Sequence, residues 1–376
     1  MVDLTTKTVL LLIATSHLIT QAMDAPILST KSINEIIQKN TLRLDLGTEI
    51  KKLAWSPNGN YIAGINTNNP SLKVWDIAAG KELWNDRYLF CHTQSIAFSP
   101  DSNHIAAIGY IYNHDSYRPP YNPHYLKIVE TTTGKLKLRS DQFKNISCFA
   151  YRNDGKQIAM GVEEADFFDH TECLKIIDTQ TGKFIDYFLP RKGFISSLAY
   201  SHDGTILALC LYEKDNNIVL IDAVTGILIK LLNQNDSIHS LQFYHNDISK
   251  LISCSKDRCL LWDLWTGTIL KDFNKGDSGS TTFEDIALSK DNKKLITGKY
   301  RNFIPAGTPP REPYYCVTMF DTETRKVIVE FEKENVDALA YSPDMKKIVL
   351  AKWIYTNIIT LPSDEEIKEL EQRIDK

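Results

Sequence analysis

The hydrophobic positions of this chain form short runs that recur in a fixed order about every 43 to 53 residues. In most copies an apolar residue, an alanine and an aromatic residue lead into a turn rich in Pro, Asn, Asp and Gly, which are the residues that tight turns between strands favour. Repetition at this period predicts an architecture of repeated structural units. The seven opening runs span residues 53–55, 96–98, 149–151, 198–200, 241–243, 286–288 and 339–341.

The second half of the repeat carries another apolar run, which in six copies ends in Asp or Glu. Gly follows four residues later in five of these copies and Arg325 in the sixth. The runs are apolar on both faces, as expected of sheets that are covered on both sides. We therefore predict an all-β, seven-bladed β-propeller of four-stranded antiparallel blades. The six runs span residues 72–76, 126–130, 174–178, 218–222, 260–263 and 317–321.

Two copies carry a Trp-Asp pair, Trp75-Asp76 in the first and Trp262-Asp263 in the fifth, where residues 251–257 precede it. On these motifs, and on seven copies in register over about residues 41 to 361, the chain resembles the WD-repeat (WD40) β-propellers. The resemblance implies a platform that binds other molecules. The Gly-His dipeptide usual before the first strand is absent from every copy. The resemblance therefore does not by itself imply the buried His-Asp-Ser-Trp network of that family.

Segments on either side of the repeats are predicted to complete the domain. Residues 41–46 alternate apolar and polar side chains as an edge strand does, and the last copy lacks an outer strand. We predict that this segment completes the seventh blade and closes the ring, which hides two sheet edges. Residues 363–376 are predicted to form a short C-terminal helix packed on the propeller, because Ser363 and Glu366 form a capping box. A helix that binds a partner is the alternative.

The N-terminus has the features of an export signal. Lys7 precedes the apolar residues 8–14, and Thr20-Gln21-Ala22 offers small residues for cleavage. We predict a signal peptide at residues 1–22, a lead-in at residues 23–40 and a secreted or periplasmic protein. The alternative is an N-terminal tail of a cytoplasmic protein. The apolar stretch is too short to span a bilayer.

Cysteine usage and charge narrow the function classes. The chain has seven cysteines and no C-x-x-C pair, so we expect mostly buried thiols. Cys254 and Cys259 flank one turn and could face each other, but we do not expect a disulfide there. The net charge of −4 and the pI of about 6.2 argue against a nucleic acid as the main partner.

Three insertions between the second and third strands of a blade are the clearest functional signal: residues 110–125, 163–172 and 299–315. Equivalent loops of different blades open on the same face, so the insertions should crowd one end of the channel. Two of them are rich in Tyr, Arg and Pro; Tyr and Arg dominate binding hot spots, and Pro stiffens a loop. The alternative is that these aromatics fold back onto the propeller. The candidate binding residues are Tyr112, Tyr117, Arg118, Tyr121, Tyr125, Arg301, Phe303, Arg311 and Tyr314.

A ring of polar residues at the channel mouth is the second candidate site. The residue three positions before the Ala of each first strand is polar in all seven copies, and these side chains should surround the axis at the end that carries the insertions. From this ring we select Lys51, His239, Glu284 and Asp337 as binding candidates. The full ring is Lys51, Gln94, Ser147, Ser196, His239, Glu284 and Asp337.

The chemistry of a metal enzyme is the alternative function. Acidic residues in the insertion Glu163–Glu172 have the donor type of a calcium site but no calcium-loop spacing, so we expect no metal and no cofactor. A hydrolase or lactonase would require a metal held in the channel by His239, Glu284 and Asp337. We instead predict a non-catalytic scaffold for a protein or peptide partner, acting as a monomer or within a hetero-complex.

Overall fold

A computed structural model describes fourteen segments of the chain and two single residues, with seven four-stranded antiparallel sheets among them. Each sheet is one blade of a seven-bladed propeller, as the repeat predicts. The described residues are 41–44, 50–66, 71–87, 92–110, 123–140, 143–163, 172–187, 194–212, 217–234, 236–273, 280–302, 314–332, 338–351 and 356–361, with Ser363 and Glu365.

We call the four strands of a blade a to d. The first strands of neighbouring blades contact one another, so strand a lies at the channel and strand d at the outside. The first blade comprises β2 (Ile50–Trp55), β3 (Tyr61–Asn66), β4 (Ser71–Asp76) and β5 (Lys81–Asp86). The second comprises β6 (His92–Phe98), β7 (His104–Tyr110), β8 (His124–Glu130) and β9 (Leu136–Arg139). The third comprises β10 (Asn145–Tyr151), β11 (Gln157–Glu163), β12 (Glu172–Asp178) and β13 (Phe184–Tyr187). The fourth comprises β14 (Phe194–Tyr200), β15 (Ile206–Tyr212), β16 (Asn217–Asp222) and β17 (Leu228–Asn233).

The remaining blades follow the same order. The fifth comprises β18 (Ile238–Tyr244), β19 (Asp247–Ser255), β20 (Cys259–Asp263) and β21 (Thr268–Asp272). The sixth comprises β22 (Ser280–Leu288), β23 (Lys294–Asn302), β24 (Tyr314–Asp321) and β25 (Val327–Glu332). The seventh comprises β26 (Ala338–Tyr341), β27 (Lys347–Ala351), β28 (Thr356–Thr360) and β1 (Thr41–Leu44).

The core is divided among the gaps between blades. Seven clusters of buried apolar side chains each join two neighbouring blades. Strands such as β7 are buried along almost their whole length, because alternate side chains enter the gaps on opposite faces of the blade. This double burial explains the lack of apolar-polar alternation in the sequence.

The first and last blades meet through one of these clusters, in which Ile50, Ile62 and Trp75 pack against Ala338, Val349 and Ile358. Strand β1 pairs antiparallel with β28. Its register runs from Thr41 opposite Ile359 to Leu44 opposite Thr356, so an outer strand from early in the chain lies beside the last strand. Of the helix expected at residues 363–376, only Ser363 and Glu365 are described. Residues 1–40, with the expected signal peptide, lie outside the described residues.

Tight a–b turns mark one end of the propeller, which we call the turn end; it also carries the c–d turns. In the second blade the Ser99 hydroxyl donates to Asp101 and accepts the His104 amide N–H at 3.0 Å. In every blade but the fifth, the fourth residue of the turn has a positive φ, which Gly adopts without strain. In three blades the residue there is instead Ser102, Asn292 or Met345.

Those three side chains each reach the preceding blade. Asn292, at φ 61°, accepts the His245 N–H at 2.7 Å and donates to the His245 carbonyl at 2.6 Å. Burial, with smaller effects from His202 and Lys290, lowers the pKa of His245. Other contacts join the remaining neighbouring turns, so the seven turns form a continuous ring. These are Asn58 N–H to Ser102 Oγ (3.0 Å), Pro100 against Gly155, Asn153 Nδ2 to the His202 carbonyl (2.5 Å), the His202 and His245 rings (6.3 Å between centroids), Asp291 N–H to Met345 Sδ (3.3 Å) and Pro343 against Gly59.

Cys254 and Cys259 form a disulfide, which corrects our expectation of free thiols. They lie directly opposite each other on β19 and β20, with Cα atoms 4.3 Å apart. Antiparallel pairing across a short turn places the two residues in register. The sequence showed the turn, but it did not show that the cysteines occupy opposed positions on one face. Cys210 remains a thiol, and burial raises its pKa.

Candidate functional site

The end opposite the turns, which we call the loop end, carries the b–c connections and the d–a connections between blades. The three insertions therefore emerge there together, from the second, third and sixth blades. They are shorter than expected from the sequence, because strands β7, β11 and β23 extend to Tyr110, Glu163 and Asn302 before the insertions begin. Six candidates in the insertions of the second and sixth blades lie outside the described residues: Tyr112, Tyr117, Arg118, Tyr121, Phe303 and Arg311.

Arg301 and Tyr314 belong to strands rather than to a loop. They lie directly opposite each other on β23 and β24, at the last described pair before the insertion of the sixth blade. Arginine next to an aromatic residue at the base of a loop is a combination typical of binding hot spots. Their backbones are described and their side chains are not.

Tyr125 also belongs to a strand, β8, and its side chain is described. It is half-buried and packs against the cluster between the first and second blades. The Arg139 guanidinium lies 5.3 Å from the centre of its ring. Tyr125 thus has both a packing role and a partly exposed surface.

The predicted ring position coincides with a β-bulge in the first strand of six blades. In six blades the register between strands a and b shifts by one residue at the ring position. The extra residue falls between two register pairs of strands a and b, and a bulge of this kind re-aims a side chain. The six bulged residues are Lys51, Gln94, Ser147, Ser196, His239 and Glu284, each a member of the ring predicted from the sequence. The seventh member, Asp337, lies outside the described residues.

The ring residues with described side chains fall into two groups. The Ser196 hydroxyl donates to the Ile238 carbonyl of the next blade at 2.6 Å, and the Ser147 hydroxyl donates to the Gly161 carbonyl at 3.2 Å. These two serines hold the strands around the mouth in place. His239 is exposed at the mouth. The side chains of Lys51, Gln94 and Glu284 are not described.

The bulge of the third blade is closely packed, which the sequence did not indicate. An ideal Cβ on Gly161 would lie 2.6 Å from Ser147 Oγ and 2.8 Å from Ile195 Cβ. Glycine is therefore required beneath the bulge. Cys148, the residue after the bulge, contacts the Ile195 carbonyl of the next blade at 3.3 Å through its sulfur.

Metal ligands do not gather in the described part of the chain, where no group of three or more His, Cys, Asp or Glu side chains is close enough to hold an ion. Glu163, the first acid of the acidic insertion, forms an ion pair with Lys144. Residues 164–171 lie outside the described residues. No helix of the described residues has the length and apolar character needed to cross a membrane.

A pocket of about 170 Å³ lies at the turn end, between the second and third blades. It is lined by polar groups that include Asp101, His104, Lys137 and Tyr151. Pockets that hold drug-sized ligands are typically about 300 Å³ or larger. The pocket is thus too small to hold an organic ligand of that size.

A buried hydrogen-bonded chain in the fifth blade relates this propeller to a known type. Trp262 Nε1 donates to Ser253 Oγ at 2.8 Å, and the Ser253 hydroxyl donates to Gln234 Oε1. The histidine usual in such networks is missing from the sequence, and here the acceptor is Gln234, just before β18. A sequence model of the family described as "WD domain, G-beta repeat" matches residues 40–76, from β1 to the end of β4. The seven-bladed fold, this match and the relative described next together support a WD40-type family.

A curated WD40-type relative gives a more distant similarity. The chain is 25% identical over 242 residues to "Periodic tryptophan protein 2 homolog" of Schizosaccharomyces pombe (strain 972 / ATCC 24843). The match covers 61% of this chain and 26% of the relative, so the chain spans about a quarter of the length of that protein. WD40 propellers generally bind protein partners and are typically non-enzymatic scaffolds.

Proposed function

We propose that this chain is a non-catalytic scaffold that binds a protein or peptide at its loop end. The observation that carries the proposal is the ring of six bulges at the base of the three insertions. The blades fix the positions of the bulged residues, and the strands that lead into the three insertions end at the same end of the propeller. Rigid presentation of side chains lowers the entropy lost on binding.

The proposed contact residues are the candidates in the insertions of the second and sixth blades and those of the polar ring. Arg301 and Tyr314 support the assignment because their backbones are paired at the base of one insertion. His239 supports it because its side chain is exposed at the mouth. No observation among the described residues favours the alternative hydrolase.

The proposal is tested by affinity capture from the source cell, with residues 23–376 as bait. The first comparison bait carries Tyr117, Arg118, Tyr121, Arg301, Arg311 and Tyr314 changed to Ala. A second bait carries Leu136→Thr, which alters an exposed residue near the turn end of the second blade. We expect a partner that the unaltered and L136T baits hold and the six-residue variant loses. Equal recovery by all three baits would contradict the role of the loops.

We also propose that the chain is exported and that residues 1–22 are removed. The buried Cys254–Cys259 disulfide supports this, because disulfides persist in oxidising compartments. Mass spectrometry of the protein from its source should show a mature N-terminus near residue 23 and a pair of cysteines resistant to alkylation before reduction. A retained residue 1 with both cysteines alkylated would favour the cytoplasmic alternative.

A further inference from the structure

Exposed apolar side chains gather at the turn end of the fourth and fifth blades. Ten large hydrophobic residues of the described chain are exposed, and eight belong to these two blades. Phe194 lies at the loop end, and the other seven lie in the c–d turns and outer strands. We call the seven the apolar rim patch. They are Val224 (65% exposed), Ile227 (66%), Leu228 (40%), Ile229 (43%), Trp265 (55%), Ile269 (43%) and Leu270 (45%).

The two blades are joined beside the patch by Lys230. Its ammonium donates to the Trp265 carbonyl. Gly267, in the same turn as Trp265, lies close to Lys230 and Leu232. The outer strand of the fourth blade therefore lies next to the c–d turn of the fifth, and the exposed apolar residues fall on neighbouring elements. Exposed apolar residues gathered in this way mark an interaction site more often than scattered ones do.

The other blades show that the fold does not require apolar residues here. Directly after the positive-φ residue of the c–d turn, four blades carry an exposed lysine, whereas the fourth carries Ile227 and the fifth Thr268. Two residues after the acidic residue that begins the turn, the other blades carry Ala78, Thr132, Gln180 and Glu323, whereas the fourth and fifth carry Val224 and Trp265. The four lysines are Lys81, Lys135, Lys183 and Lys326.

The charges around the patch are arranged asymmetrically. The acids at the start of the turns point inward: Asp222, for example, accepts the N–H groups of Val224 and Thr225 at 3.0 and 2.7 Å. The exposed cations point outward, with Lys183 on the third blade at one side of the patch and Arg325 and Lys326 on the sixth at the other. The c–d turns on either side of the patch thus carry three exposed cations and one exposed acid, Glu323.

We propose that the apolar rim patch binds a segment of a partner protein in which a short apolar run is flanked by Asp or Glu. The apolar run would cover Val224, Ile227 and Trp265, and the flanking carboxylates would face Lys183 and Lys326. Charge complementarity favours this occupant over a second copy, whose patch is bordered by the same cations. About ten to twelve extended residues, at 3.3–3.6 Å each, span several blades of the rim.

The variant that tests the patch uses residues already present at equivalent positions. Val224→Thr and Trp265→Thr copy Thr132, and Ile227→Thr copies Thr268, so the triple variant keeps the turn chemistry. Leu136→Thr is the matched control, since Leu136 is 51% exposed on the second blade, outside the patch. Thermal unfolding of both variants should match that of the unaltered chain.

The probe is a phage-displayed library of random 12-residue peptides, selected on the full chain and counter-selected on the triple variant. We expect enriched peptides with apolar residues flanked by Asp or Glu. In fluorescence anisotropy their synthetic versions should bind the triple variant at least tenfold more weakly, bind L136T unchanged, and weaken with added salt. Lys183→Glu with Lys326→Glu should also weaken binding, without altering any apolar residue.

Several outcomes would overturn the proposal. One is a lack of enrichment over the triple variant, and another is a set of enriched peptides that are basic. A third is a dimer of the unaltered chain, seen by light scattering, that the triple variant converts to monomer, because a second copy would then be the occupant. A fourth is peptide binding only after removal of residues 362–376, which would make the acidic C-terminal segment the occupant. Loss of the loop-end function through the Tyr and Arg variants would leave this peptide binding intact, so the two proposals fail separately.

Discussion

At the turn end of the propeller every a–b turn contacts the next one, whereas at the loop end the strands bulge and carry insertions of different length. The turns reuse one hydrogen-bonded design and place a side chain such as Asn292 on the preceding blade. The bulges instead insert one polar residue into the first strand of each of six blades. The difference shows that the blades are joined to one another at the turn end, whereas at the loop end their connections differ in length and composition from blade to blade.

Asn292→Ala is expected to give the largest change at the turn end. It removes two hydrogen bonds to the His245 backbone, each contributing about 1 kcal/mol. It also places Ala in a left-handed conformation, which costs about 1 kcal/mol. Urea unfolding followed by tryptophan fluorescence should show a loss of about 3 kcal/mol.

Asn292→Gly is the matched control, because glycine tolerates the positive φ. It should lose only the part that belongs to the hydrogen bonds, about 2 kcal/mol. If both variants unfold like the unaltered chain, the ring of turns does not hold the blades together.

Gly161→Ala tests the loop end by overpacking the bulge of the third blade. The new methyl group would press on Ser147 and Ile195, and insertion into a filled site costs about 2 kcal/mol. Gly80→Ala is its counterpart: Gly80 has a φ of 61° and nothing within 4 Å of the point where a Cβ would lie, so the variant would carry strain without a clash. A smaller loss for Gly161→Ala than for Gly80→Ala would show that the bulge is not closely packed.

Ser102→Gly should change stability by less than about 1 kcal/mol. The variant loses the hydrogen bond from the Asn58 N–H, but it relieves the strain of a serine at φ 63°. Thermal unfolding of Ser102→Gly and of Asn292→Gly compares the loss of one hydrogen bond with the loss of two at equivalent turn positions. A large loss for Ser102→Gly would mean that a single bond between turns outweighs the backbone strain.

The pH dependence of stability should be a smaller effect that arises at the turn end. Burial lowers the pKa of His245 below 6.5, so the unfolded chain binds a proton first as the pH falls. Stability is therefore complete above about pH 6.5 and declines below it, and burial lowers the pKa of His104 in the same direction. The turn carboxylates Asp203 and Asp344 have lowered pKa values and keep their contribution down to about pH 4.

Melting temperatures at pH 7.5 and 5.5 check this prediction. His245→Asn should reduce the difference between the two values, whereas Tyr314→Ala at the loop end should leave it unchanged. An unchanged difference in His245→Asn would place the responsible group elsewhere.

Part of the geometry of the candidate site could be predicted from the sequence, whereas the binding role of its residues stays a prediction. The polar ring was recognised from one repeated position, and its members in six blades proved to be the bulged residues. The bulge itself was not predicted, because one unpaired residue leaves the hydrophobic period on either side almost unchanged. Arg301 and Tyr314 were assigned to a loop but lie in strands, since the same aromatic and charged residues occur at strand ends.

The sequence by itself determined the number of blades, the turns and the strands, because each depends on residues close together in the chain and recurs seven times. Only the tertiary structure decided which residues meet across the gaps between blades. Gln234 with Ser253, Asn292 with His245, and Lys230 with Trp265 are separated by some 20 to 50 residues. Their contacts depend on how the blades pack, and a local pattern of apolar and polar residues carries no record of that packing.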